Sequence, residues 1–334
     1  MAVLNPRELK EAADRRIQEA SFDPVKLILI HTGVIVALNL IVSGLNLYLS
    51  EQIGTTGGLS GLGLRSVLQT AQTVLSYFST FFTPFWSAGL LFAMICVARG
   101  QEARPSALLQ GFRRFGSILS YTLWEILIYT FLCMVVLQVL TNIYLLMPIA
   151  QPFIVQIEGL MTNPDLFLPN GSINPAAVSL EALLPYMVPL LILYLAVIIP
   201  LAIFVSYQFR MGIFLLVEGI YRGAFGAFLV SAKLMKGHKW QMLKLDLSFW
   251  WYYLLEGVLT VVLYLDVILS AVGIALPFTP VITFFVTIAL HGLLQLALHW
   301  WVKARIDVTY ATAYEAIYRE VVPANPDEPA LRKL

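Results

Sequence analysis

Residues 183–211 read LLPYMVPLLILYLAVIIPLAIFVSYQFRM, and the first 27 of them, 183–209, carry no charged side chain. At about 1.5 Å per residue, a helix of that length crosses a hydrocarbon core of about 30 Å with residues to spare. The apolar positions follow one another without the alternation of a barrel strand, so the segment reads as a membrane helix. Five more stretches meet the same test: 25–49, 67–98, 117–147, 245–266 and 281–302. The composition of the whole chain agrees. Of 334 residues, 59% are hydrophobic and 12% charged, against about 25% charged in soluble domains. Mean hydropathy is +0.80. So few charges cannot coat a globule of this size, which argues against extended disorder and against a basic nucleic-acid-binding surface. The fold class expected is all-α: a polytopic transmembrane bundle of six spans. It has an amino-terminal segment 1–24, a membrane domain 25–302 and a carboxyl tail 303–334. Pro84 in the second span and Pro185, Pro189 and Pro200 in the fourth predict kinks or broken helix ends.

Positive charge resists translocation, so the lysines and arginines set the orientation. Of 21 in the chain, 20 fall in the two tails and in the loops after the second and fourth spans, leaving Arg65 alone on the other side. Six spans with both termini cytoplasmic follow, in a plasma membrane. The polar start before residue 25 does not resemble a cleaved signal peptide, whose charged head is short. Cys96 and Cys133 lie in apolar runs and read as small buried hydrophobes. The outer surface is thin. Its longest piece, 150–182, reads as a short acidic loop containing the sequon Asn170-Gly171-Ser172, and the glycines of 56–63 read as a flexible outer turn.

Two inner loops share a design. Pro105 opens a segment in which Leu108, Phe112 and Phe115 recur at helical spacing, opposite Arg113 and Arg114. Further on, Phe225, Phe228, Ala232 and Met235 form a similar stripe beside Lys233 and Lys236, and Gly237 is placed to end the helix. Both predict amphipathic helices lying in the plane of the inner leaflet. Each basic group there gains about 1 kcal/mol from anionic lipid. The expected partner is the bilayer, through anionic headgroups contacted by Arg113, Arg114, Lys233, Lys236, His238 and Lys239. Trp240 and Trp250 to Tyr253 supply an aromatic belt, and Asp246 is expected to cap the fifth span.

The run SAKLMKGHKW at 231–240, followed by LDLSFWW at 245–251, resembles the signature of a family of uncharacterised bacterial integral membrane proteins. YATAYEAIY at 310–318 is similar to that family's ending, and GFRRF at 111–115 to an earlier loop. The likeness extends from about Arg99 to Glu320. Where members commonly carry an acidic residue followed by Asn and Pro, this chain has Glu218-Gly219-Ile220. The resemblance implies a bacterial plasma-membrane protein and no assigned activity.

Helix rise puts three titratable side chains near the bilayer midplane: Glu125 about 12 Å into the third span, Glu256 about 16 Å into the fifth and His291 about 15 Å into the sixth. A lone charge at that depth costs at least about 2.5 kcal/mol, so these groups should be neutral, paired or facing water. Glu256 and His291, on consecutive antiparallel helices, are expected to pair. His31 and His299 are expected to be satisfied locally, and Asp266 to sit at the outer boundary. No zinc spacing, no HExxH pair and no phosphate loop occurs, so no catalytic residue, metal or cofactor is expected. Two functions compete. One is a non-enzymatic lipid- or partner-binding envelope protein. The other is a small transporter or channel with a polar path through Glu125, Glu256 and His291.

Overall fold

A computed structural model describes residues 5–55, 62–162, 180–265, 268–269 and 280–321. The glycine turn at 56–61, the sequon at Asn170, Asp266 and the tail beyond 321 lie outside these residues. Everything described is helix, turn or connection, with no strand among them. Five helical stretches are long and apolar enough to cross a membrane: Pro24–Ile53, Gly63–Ala98, Phe115–Leu145, Leu184–Glu218 and Phe285–Val321.

In chain order the helices are α1 (Pro6–Glu19), α2 (Pro24–Thr55), α3 (Leu62–Ala98), α4 (Gln110–Arg113), α5 (Phe115–Leu145), α6 (Gln151–Met161), α7 (Leu180–Phe209), α8 (Gly212–Glu218), α9 (Ala224–Leu234), α10 (Lys239–Leu247), α11 (Trp250–Leu263), α12 (Pro280–Leu298) and α13 (Ala304–Val321). A 3-10 segment, Pro105–Leu109, precedes α4, and a π-helical turn, His299–Lys303, joins α12 to α13. The prolines interrupt nothing. Pro84 lies inside α3, and Pro185, Pro189 and Pro200 lie inside α7. Each removes one ladder hydrogen bond, which a membrane helix tolerates when its neighbours re-satisfy the carbonyl.

The chain divides into two units, Met1–Thr122 with Gln208–Leu334, and Leu123–Tyr207. In the second, Val136, Leu140 and Ile198 form a small core with Leu132, Cys133 and Tyr194 around it, and the Tyr144 hydroxyl donates to the Tyr186 carbonyl at 2.8 Å. The outer stretch predicted as a loop opens with α6 in this unit. In the first unit, Phe85, Ala88, Ile118 and Val217 form a core that ties α3, α5 and α8 together. Cys96 is buried, as its apolar setting predicts.

Three expectations need correction. First, the segment after α3 is no continuous amphipathic helix: the 3-10 turn gives way to the single turn of α4, and Arg114 leaves helical geometry at φ −104° and ψ 26°. Its apolar stripe packs on protein at Leu108 and Phe112, while Phe115 stays about half exposed. Leu108 is buried, while Phe112 and Phe115 pack on Phe85 with ring centroids 5.8 and 4.6 Å away.

Second, only part of the apolar stripe of α9 is left uncovered by protein, and Phe225 shares the exposed side with Leu229. Phe228, Ser231 and Leu234 are buried within the unit, whereas Phe225 of the predicted stripe is exposed. Protein thus covers Phe228 and Met235 of the predicted stripe and leaves Phe225 uncovered.

Third, the fifth stretch is divided. α10 ends at Leu247, Phe249 adopts φ −116° and ψ 18°, and α11 begins at Trp250. A residue far away in sequence meets the chain at this break. Lys10 of α1 donates to the Ser248 carbonyl at 2.9 Å and stands 4.0 Å over the Phe249 ring. The Ser248 hydroxyl adds a bond to the Leu245 carbonyl at 2.6 Å. Partial burial of its ammonium, with Arg305 nearby, holds Lys10 below the ordinary lysine range.

Candidate functional site

α13 and the turn before it organise the polar groups of the first unit. In ARIDVTYATAYEAIYREV, Asp307, Tyr310, Tyr314 and Tyr318 recur at intervals of three and four, which puts them on one face. Three clusters follow one another along this hub.

The first sits at the π turn, a geometry that recurs at functional positions. His299 Nε2 is 2.9 Å from Glu256 Oε1, and the Tyr252 hydroxyl donates to the same oxygen at 2.6 Å. With Nε2–H aimed at the carboxylate, Nδ1 accepts from the Thr32 hydroxyl at 2.7 Å. One turn on, Lys303 pairs with Asp307 at 3.3 Å.

In the second, Arg210 grips Asp246 through two parallel bonds, Nη1 to Oδ2 at 2.6 Å and Nη2 to Oδ1 at 3.0 Å. The Tyr310 hydroxyl donates to the same carboxylate at 2.5 Å and meets the Tyr253 hydroxyl at 2.6 Å. The guanidinium lies 4.5 Å over the Tyr310 ring. Asp246 is therefore the acceptor of a bidentate clamp, not the cap of the fifth span.

The third joins three span ends. Arg99, just past α3, donates from Nε to Glu315 Oε1 at 2.6 Å, with Nη2 on the same oxygen. Its Nη1 is 2.5 Å from Glu218 Oε1. Tyr314 donates to Glu218 Oε2 at 2.6 Å. Glu218 and Glu315 side chains are only 5% and 11% exposed, so this guanidinium answers two nearly buried carboxylates.

Beside the third cluster, α1, the end of α3 and α13 enclose a cavity of about 350 Å³ walled by Arg15, Arg16, Glu19, Thr312, Glu315 and Arg319 with three alanines. At the same end of α13, His238 Nε2 is 3.4 Å from Glu320 Oε2.

The residues singled out from sequence fare unevenly. Glu256 is in a cluster, but its partner is His299, not His291, whose Nδ1 donates to the Leu259 carbonyl at 2.9 Å. The predicted depth was counted from residue 245. Counted from Trp250, where α11 begins, Glu256 lies only about 9 Å in, level with the inner end of α12. Glu125 is half-buried in the second unit.

Among the expected headgroup contacts, Arg113, Lys233 and Lys236 are exposed. The Arg114 guanidinium packs on Gly219, and Lys239 donates to Gln208 Oε1 at 2.9 Å. His238 is corrected: it is 3% exposed, with Nδ1 3.1 Å from the Leu234 carbonyl, and cannot reach a headgroup. The aromatic belt also splits. Trp240 and Trp250 are exposed, while Tyr252 and Tyr253 serve the clusters. Among the described residues, no three His, Cys, Asp or Glu side chains converge to hold a metal ion. Sequence reading missed Arg99, Arg210, Glu218, Tyr310, Tyr314 and Glu315. The signal available for the last three was the polar face of α13.

The family model described as "Protein of unknown function (DUF975)" matches residues 4–321. The chain belongs to this family. No curated protein and no solved structure matches it. The match covers every described helix of the DUF975 chain and supports the likeness to an uncharacterised family. Its apolar helices mark a membrane protein of that family, and the polar hub on α13 is the feature from which a function can be argued.

Proposed function

We propose that this DUF975 protein is a non-enzymatic, six-span protein of the bacterial plasma membrane. Both termini are cytoplasmic, and its basic inner face holds anionic lipid headgroups or a partner. The observation that carries this reading is the gathering of basic side chains around the last turns of α13. Arg15 and Arg16 arrive from α1, Arg319 from α13 itself, and Lys236 from the turn whose His238 meets Glu320.

The third cluster supports the threading. Arg99 follows the second span, Glu218 the fourth and Glu315 the last, and they bond to one another. The start of the chain is on the same face, because Asp14 of α1 pairs with Arg305 of α13 at 2.7 Å. Both ends on one face require an even number of crossings, and α11, apolar but only 14 residues long, supplies part of the remaining one, the fifth in chain order.

Replacing Lys233 and Lys236 together by Gln is expected to weaken co-sedimentation with phosphatidylglycerol vesicles up to about thirtyfold, since each charge is worth about 1 kcal/mol at an anionic surface. Phosphatidylcholine binding should not move. Undiminished binding to the anionic vesicles would remove the headgroup reading.

A second reading, a small proton-coupled carrier or channel, is favoured by the first cluster, where a π turn sets His299 on Glu256 with Tyr252 and Thr32 in line. On this reading Glu256→Gln and His299→Ala abolish proton flux into proteoliposomes, with His291 as a further step. Flux that is absent from the wild type, or intact in both variants, ends it.

A further inference from the structure

We propose that the cavity between α1, the end of α3 and α13 binds a singly charged phosphate group, either the phosphodiester of an anionic lipid headgroup or a free phosphate ester. This site rests on the reading of a basic face that holds anionic groups, since Arg15, Arg16 and Arg319 belong to that face, and it can be tested apart from Lys233 and Lys236.

The space exists because three of its wall positions, Ala12, Ala98 and Ala316, are alanine where longer side chains would fill it. At about 350 Å³ it falls at the small end of ligand pockets. Ala98 is the last residue of a candidate span, which puts the opening at headgroup depth.

The charges decide the ligand. Glu315 is already committed to Arg99 through Nε and Nη2, and the remaining nitrogen of Arg99 is on Glu218. Arg319 stands 3.6 Å from Glu315, too far for a hydrogen bond. Arg16 reaches Glu19 at 3.3 Å, with both side chains largely in solvent. Arg15 makes no ion pair among the described residues. Four guanidinium groups, Arg15, Arg16, Arg99 and Arg319, thus face three carboxylates, Glu19, Glu218 and Glu315, and one positive charge is left over.

A monoanion completes that balance, whereas a dianionic phosphomonoester would overshoot it. Three planar forks arriving from two helices suit a tetrahedral phosphate, whose several oxygens can serve them all, better than the two oxygens of a carboxylate. The Thr312 hydroxyl donates to the Val308 carbonyl at 2.8 Å, so recognition falls on the arginines.

The test titrates the full chain, in a neutral maltoside detergent, with dihexanoyl phosphatidylglycerol, dihexanoyl phosphatidylcholine, dimethyl phosphate and acetate, read by calorimetry. Saturable uptake of one phosphatidylglycerol per chain is expected, and no uptake of phosphatidylcholine or acetate. Dimethyl phosphate within a few-fold of the lipid identifies a free phosphate ester as the source, and markedly weaker binding identifies the lipid. Either result supports the site.

Arg15→Gln with Arg319→Gln should weaken binding at least about tenfold, as lost charge-assisted hydrogen bonds do. Ala316→Leu, which fills the space without altering charge, should do the same. Lys233→Gln with Lys236→Gln should leave this titration unchanged even if it abolishes vesicle binding, so the two readings fail separately. Wild-type affinity in both cavity variants, no saturable binding of either phosphate probe, or equal competition by acetate would overturn the proposal.

Discussion

Arg99→Gln is expected to destabilise the protein by about 3 kcal/mol or more, because it removes the only charge that answers both Glu218 and Glu315 in the cluster. The magnitude comes from what is left behind. Two carboxylates, each little exposed, would have to protonate or repel one another. Tyr314 can still donate to Glu218, and Arg319 lies 3.6 Å from Glu315, which offsets a small part of the cost. Arg99→Lys should recover little, since one ammonium cannot reproduce a fork directed at carboxylates on separate helices. The decisive comparison adds Glu218→Gln to Arg99→Gln: the double variant should be more stable than Arg99→Gln alone, by detergent-solubilised thermal unfolding followed through tryptophan fluorescence. If the two were equally unstable, or if Arg99→Gln melted like the wild type, the cluster would not be holding the span ends together.

That cluster also marks the limit of what the amino-acid sequence discloses. The membrane helices were legible because lipid demands continuous apolar stretches, and 183–209 satisfies that demand without reference to any partner. The break at Ser248 and Phe249 was not legible, because the carbonyl it frees is met by Lys10, 238 positions away. Missing it shifted Glu256 by five residues of helix and supplied the wrong histidine. The stripes at Leu108 and Phe228 read from sequence as faces turned to the inner leaflet. Periodicity carries no information on whether lipid or protein does the covering, and burial gives Leu108 and Phe228 to protein while Phe115 and Phe225 stay exposed. The α13 face went unread for a different reason. Its groups lie beyond the apolar stretch that ends near residue 302, where a charged, tyrosine-rich segment reads equally well as a solvated tail. Only contact with Arg99, Arg210 and Asp246 turns it into a hub.

Gly89→Ala should cost about 3 kcal/mol, the upper end for overpacking, because the added Cβ would meet backbone and not a movable side chain. It would stand 1.8 Å from the Leu108 carbonyl oxygen and 2.4 Å from its carbon. Gly111 has the mirror-image problem, with a Cβ 1.8 Å from the Phe85 oxygen and 3.2 Å from the Gly89 nitrogen. The 3-10 segment thus lies directly on the backbone of α3, and two glycines make that approach sterically allowed. What depends on it is the aromatic packing of Phe112 against Phe82 and Phe85, at 5.4 and 5.8 Å between centroids. Separating the segment from α3 opens these contacts together. Gly116→Ala provides the contrast within the same region: its Cβ would meet nothing within 4 Å, and near the start of α5 the change favours helix by up to about 1 kcal/mol. Thermal unfolding should therefore move in opposite directions for Gly89→Ala and Gly116→Ala. Equal midpoints would mean that α3 and the 3-10 segment do not touch through their backbones, and the inner loop would then be free to lie on lipid after all.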